Sequence, residues 1–371
     1  MIDYKEIRHQ LHEHPQIAGN EQFAHDMIVR HLQGLHPDKV YTHVGGYGVI
    51  AVWLAAQTPS PQGQGSVPTI AFRADTDALP IGHRCGHDGH TTILLRMAEL
   101  VDENRSTLNS RFSVLLLWQP AEETGTGSRA VIESGILQQY DIRAFYALHN
   151  LPGYPLGSVV LCPHTFAAAS TGVVYRLEGR ETHASTPELG LNPGMAVSEI
   201  IQHFASFNSS PTSDLHRFVQ STLICVRVGA PAFGTSAGQA EVMFTLRAFT
   251  NSAMERLLAD ANAAVDAIAL RHGLRVTRSL VEPFHATENH PARVEAIKKA
   301  AVDLSLNVVE RETPMRWSED FAEYLMLWQG AMFGMGSGEQ QPELHHPQYD
   351  FPDALVEVAA NLFARLAVSE L

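Results

Sequence analysis

The sequence predicts an α/β protein in which a mixed, mostly parallel sheet flanked by helices is interrupted by an inserted ferredoxin-like α+β domain. Three observations predict it. Strand-like and helix-like runs alternate up to about residue 168, which is the pattern of a parallel layer structure. The next stretch reads strand, helix, strand, strand, helix, strand, the order of a split βαβ unit. From about Pro283 strands and helices alternate again. The economical division is residues 1–168 with 283–371 as one domain and 169–282 as an insertion, which suits a chain of 371 residues.

Taken in order, residues 3–34 carry helical periodicity with a break at His12–Pro15, and strands follow near Val40 and at Gly48–Ala55. QTPSPQGQGS (57–66) has the composition of a flexible loop. TIAFRAD is a strand, and after CGHDGH the residues Ile93, Leu94, Met97, Leu100 and Val101 recur at helical spacing. SVLLLW is a wholly apolar strand, SRAVIESGIL a helix and IRAFYALHN another strand. In the insertion, TGVVYRLEGR, RFVQSTLICVRVGA, QAEVMFTLRAF and LRVTRSL read as strands. Helices are expected from about Pro193 to Phe207 and from Asn251 to about Arg271, and a last helix at Ala354–Val368.

Composition narrows the function. The net charge of −14 excludes the electrostatic footprint of a nucleic-acid binder. Three cysteines, Cys85, Cys162 and Cys225, are too few and too odd in number for a disulfide framework, so a reducing, cytoplasmic setting is expected. MIDYKEIRHQ lacks the apolar core of a signal peptide, and no apolar run approaches a membrane span.

The chemistry-bearing groups stand in loops and at the ends of predicted strands. Cys85 and His87 lie in a glycine-spaced loop ahead of a helix, Glu122 and Glu123 follow SVLLLW, His149 ends IRAFYAL, and His345 lies in ELHHPQYDF. Parallel strands gather their C-termini at one edge, where ligands bind. Thiolate, imidazole and carboxylate together suit zinc or a neighbouring ion such as manganese, cobalt or nickel. Other readings stay open at this level. CGHDGH could be a helix-capping loop with Asp88 as the cap. Cys85 and His87 could form a thiolate nucleophile and its base. The ligands could serve a non-catalytic metal-binding protein. GTGSRA is a weak dinucleotide fingerprint, separated from its strand by PAEET.

RADTDALP (73–80), CGHDGH, QPAEETGTG, ALHNLPGYPLG, HASTPELGLNP (183–193), SEDF (318–321) and LHHPQYDF occur in one order along nearly the whole chain. In that order they resemble the dinuclear metallo-amidohydrolases of the aminoacylase, hippurate hydrolase and auxin-conjugate hydrolase group. The resemblance implies a zinc-exopeptidase-like catalytic domain, and a lid and dimerisation role for the insertion. It implies that Cys85, His87, Glu123, His149 and His345 hold two divalent metal ions, with Cys85 where relatives carry a bridging aspartate. His345 rather than His346 fits the Leu-His-x-Pro pattern. Asp77 is implied as a supporting residue and Glu122 as the general base. His183 matches a histidine that reaches a dimer partner's site to stabilise the oxyanion, and Arg247 an arginine that grips the substrate carboxylate. Two cations about 3.5–4 Å apart polarise a carbonyl and acidify a shared water, whose proton Glu122 would take and return to the leaving amine. The expected substrate is an N-acyl amino acid, acetyl- or benzoyl-conjugated or similar, with a dipeptidase, carboxypeptidase or desuccinylase as the alternative. The sequence departs from the group in the short loop Ile81–Arg84, in Gly234 where relatives carry asparagine, and in Thr76.

Overall fold

A computed structural model describes residues 3–55, 68–105, 112–208 and 214–369. The loop expected at 57–66 lies outside the described residues. In chain order the elements are α1 (Tyr4–Glu13), α2 (Gln22–Leu32), β1 (Lys39–Val44), β2 (Gly48–Trp53), β3 (Pro68–Asp75), α3 (His87–Glu103), β4 (Ser113–Gln119), α4 (Gly127–Glu133), β5 (Asp141–Pro152) and β6 (Val159–Leu161). Next come β7 (Ala169–Glu178), β8 (Thr182–His183), α5 (Gly194–Ala205), β9 (Val219–Val228), β10 (Thr235–Ser236), β11 (Gln239–Ala248), α6 (Asn251–Arg271) and β12 (Arg275–Phe284). The chain finishes with α7 (Pro291–Asp303), β13 (Val308–Glu310), α8 (Ala322–Leu325), β14 (Gly330–Gly338) and α9 (Ala354–Ser369).

The chain forms two compact units. The first comprises Met1–Phe166, Thr287–Glu312 and Asp320–Leu371. Its eight-stranded sheet runs β1-β2-β4-β3-β5-β14-β6-β13. The central strands β4, β3, β5 and β14 pair in parallel, while β1, β2 and β6 contribute the antiparallel pairings. Strands β2, β3 and β4 are buried at nearly every position, as the continuous apolar runs require of a sheet covered by helices on both faces. Helix α3 lays Ile93, Leu94, Met97 and Val101 into this core beside Phe351, Leu355 and Phe363. It stops at Asn104, whose side-chain amide donates to Leu100 O at 3.0 Å.

The second unit comprises Ala167–Ala286 and Thr313–Glu319. Its sheet runs β12-β7-β11-β9 with every pairing antiparallel. One face buries Val173, Tyr175, Leu177, Val242, Phe244 and Leu246 against Ile200 and Phe204 of α5 and Leu257, Ala261 and Val265 of α6. This is the expected strand and helix order. The sequence put the boundary at Pro283, but β12 runs on through Phe284. A proline is tolerated there because β12 is an edge strand whose pairing with β7 is irregular between Val281 and Phe284. Among the described residues no helix is long and apolar enough to cross a membrane.

Candidate metal centre

The first unit brings seven of the expected residues to one place. Strands β3, β4, β5 and β14 run in parallel, so their C-terminal ends share one edge. Asp77 and CGHDGH follow β3, Glu122 and Glu123 follow β4, His149 lies near the end of β5, and His345 follows β14. The glycines of CGHDGH have distinct steric reasons. Gly86 has φ 98°, and a Cβ there would meet Asn150 Oδ1 at 2.6 Å. A Cβ on Gly89 would stand 2.3 Å from the Phe351 ring. Only glycine allows the loop to turn left-handed and the helix to start this close to β5 and Phe351.

Cys85 belongs to two sets of donors. Its sulfur and the ring nitrogens of His87 and His149 lie within 4.8 Å of one another, and so do its sulfur, a Glu123 oxygen and a His345 nitrogen. Cys85 Sγ is 3.6 Å from His149 Nε2, and His87 Nε2 is 3.9 Å from Glu123 Oε1. Glu122 joins His87 and Glu123 in a third such set and is buried.

Outer contacts orient these donors. His87 Nδ1 lies 2.9 Å from Asp77 O, and His149 Nδ1 lies 2.9 Å from Asn150 O. A carbonyl only accepts, so in each ring Nδ1 carries a proton, and the neutral form that a cation would engage presents its lone pair on Nε2. His87 Nε2 and Glu123 Oε1 are buried with no hydrogen-bond partner among the described residues. Orphaned buried acceptors are costly, and a cation removes the cost. The donor set therefore fits divalent metal. Asp77 serves a second purpose: its Oδ1 accepts from Glu122 N and its Oδ2 from Glu123 N, both at 3.0 Å.

The electrostatics follow from burial. Burial pushes the Cys85 thiol up to about 12, the reverse of what an activated nucleophile needs. Burial likewise raises the Glu123 carboxyl to about 7, against the pull of His87. It opposes charge on His87, yet Asp75 and Cys85 outweigh it and hold His87 well above the usual imidazole range. Burial and then His90 hold His149 well below that range. Burial, with His87 nearby, lowers His345 too. His345 adopts φ 66°, a left-handed backbone held by its N–H donating to Arg84 O at 2.9 Å.

Asp88 is not the cap the loop suggested. Gly86 occupies the N-cap position of α3, with no side-chain cap bond. Asp88 instead accepts from Arg8 at 3.3 Å and pairs with His12 Nδ1 at 2.7 Å. Burial opposes its charge, but His12 and Arg8 prevail and bring its carboxyl down to about 2. This ties α1 to the loop. Thr76 donates to Gln119 O at 3.1 Å and so links the β3 and β4 ends. Two residues here are assigned no role from the sequence. Arg73 is fully buried and pairs with Asp75 at 2.6 Å and Asp320 at 2.9 Å, and Glu21 reaches the turn before Glu122.

His183 and Arg247 belong to the second unit. His183 is exposed on β8, paired opposite Thr235 of β10. Ser185 N donates to its Nδ1 at 3.1 Å, which leaves the ring proton on Nε2. A Cβ on Gly234 would meet nothing within 4 Å, so no steric demand explains that glycine. Arg247 on β11 lines a cavity of about 410 Å³ with Phe284, Trp317 and Ser318. Its Nη1 donates to Arg316 O at 2.8 Å and Ser318 Oγ at 3.1 Å. No carboxylate pairs with it among the described residues, and burial lowers its pKa.

The sequence profile of Peptidase family M20/M25/M40 matches residues 71–369. N-acetylcysteine deacetylase of Bacillus subtilis is 29% identical, over 98% of this chain and 95% of its own. Hippurate hydrolase of Campylobacter jejuni is 27% identical, over 100% of this chain and 97% of its own. Among solved structures, a dinuclear metal binding peptidase of the M20 family from Bacillus subtilis superposes with a TM-score of 0.83 at 26% identity, covering 98% of this chain and 96% of its own.

Proposed function

Since this chain belongs to Peptidase family M20/M25/M40 and is a metal-dependent amidohydrolase, we propose that it hydrolyses the amide bond of N-acyl amino acids with Glu122 as general base. The observation that carries this reading is Cys85 standing in two donor sets at once, with Glu122 beside them. Cys85, His87 and His149 would hold one divalent ion, and Cys85, Glu123 and His345 the other, as zinc, manganese, cobalt or nickel. Ions so held supply Lewis acidity to the scissile carbonyl and to the attacking water. The chain's own residues do the rest. Asp77 fixes the Glu122–Glu123 turn through two N–H bonds. Glu122 takes the proton of the attacking water and delivers it to the departing amine nitrogen. His183, with its proton on Nε2, would donate to the oxyanion.

Arg247 would hold the substrate carboxylate. A half-buried guanidinium with no carboxylate partner among the described residues supports that role. The test is a panel of N-acetyl- and N-benzoyl-amino acids beside their carboxamides. The free acids are expected to be the better substrates, and Arg247→Ala to lower kcat/KM for them about 100-fold, or about 2.7 kcal/mol. Equal turnover of acids and carboxamides by the wild type would remove Arg247 from this role.

The proposal extends to a cytoplasmic homodimer. Leu223, Ile224, Val226 and Val228 of edge strand β9 are exposed, and such an edge needs covering. Ile224→Glu is expected to give a monomer by sedimentation that has lost most turnover, since His183 would no longer reach a partner's site. A fully active monomer would refute the shared-site reading.

A further inference from the structure

The amides of Ala121, Glu122 and Glu123 form a continuous row, and two carboxylates accept all three. Asp77 takes Glu122 N and Glu123 N. Glu21, at the residue before α2, takes Ala121 N on its Oε1 at 2.9 Å and Gly19 N on the same oxygen at 2.9 Å. Glu21 is fully buried, and its Oε2 has no hydrogen-bond partner among the described residues. Ala121 has φ 54°, a left-handed backbone that an alanine adopts only when its surroundings impose it. The restraint on its N–H is Glu21, which lies far away in the chain.

We propose that Glu21 is a positioning residue: by holding the Ala121 amide it fixes the left-handed turn that sets the Glu122 carboxylate at the metal centre. The proposal rests on the reading of Glu122 as general base. What Glu21 supplies is an acceptor oxygen at a given reach, and its negative charge is incidental. Glutamine keeps that oxygen at the same reach, and aspartate keeps the charge but is one methylene short. A role through charge predicts the opposite order of tolerance.

The experiment compares zinc-reconstituted wild type, E21Q, E21D and the control E122Q. Kinetics use the N-acetyl amino acid that the wild type cleaves best, and amide exchange is followed over residues 119–126. E21Q is expected to keep kcat within about twofold, whereas E21D loses roughly tenfold or more at unchanged KM and zinc content. Exchange at the Ala121 amide should quicken roughly tenfold in E21D and not in E21Q. Wild-type kcat and exchange in E21D would overturn the proposal. So would an active E21D beside an impaired E21Q, or an E21D whose loss of rate tracks loss of zinc. An inactive E122Q beside an intact E21D overturns this proposal alone, whereas E122Q turning over at the wild-type rate overturns the general-base reading and this proposal with it.

Discussion

Glu122→Gln is expected to retain both metal ions and to lose roughly 10³-fold in kcat, the scale on which a positioned general base acts. The retention follows from the geometry. The two donor sets that share Cys85 are complete without Glu122, and the backbone bonds from Asp77 that hold residues 122 and 123 do not depend on the side chain replaced. The loss follows because an amide accepts no proton from water at neutral pH. KM should change little, since the carboxylate is assigned to proton transfer and not to substrate binding. Elemental analysis alongside steady-state kinetics checks both halves. An E122Q enzyme that turns over at the wild-type rate would remove Glu122 from the chemistry.

Cys85→Ala has the other large effect, on metal content. Removing residues that merely support a ligand costs 10–100-fold in metal affinity, and Cys85 is a donor common to both sets, so a loss of roughly 100-fold or more is expected at both sites. The wild type carries a further signature. The thiol, held by burial up to about 12, must lose its proton to ligate, so metal uptake releases a proton and affinity rises with pH. Calorimetry in buffers of different ionisation enthalpy reads that proton directly, and it should be missing in Cys85→Ala. A variant fully loaded with metal and nonetheless inactive would favour a thiol nucleophile instead.

Much of this was legible in the sequence because strand ends are. Apolar runs such as SVLLLW and IRAFYAL mark buried parallel strands, and polar groups directly after them must fall at the sheet's C-terminal edge. That logic places Glu122, Glu123 and His149, while Cys85 and His87 are marked by the glycine-spaced loop ahead of α3. His345 is different. It lies in a loop with no period, on a left-handed backbone, and only its resemblance to a family pattern singled it out. Glu21 left no trace because a carboxylate at a helix start is commonplace, and its partner amide is remote in sequence. The alternative reading of Asp88 as a helix cap fails for a related reason. Its position ahead of a helix suggests a cap, but the left-handed Gly86 already starts α3, which frees Asp88 to pair with Arg8 and His12. The second unit's extra segment, Thr313–Glu319, joins it through bonds from Ala168 N to Met315 O and Trp317 O, long-range contacts that no local pattern encodes.

The central claim is that CGHDGH contributes to a centre for two metal ions on which hydrolysis depends. The most direct measurement is elemental analysis of a chelator-stripped and reconstituted sample, assayed in parallel on N-acetyl- and N-benzoyl-amino acids. Close to two ions per chain, with activity absent after stripping and restored only on adding metal, is the predicted result. Hydrolysis that survives complete stripping would contradict the account.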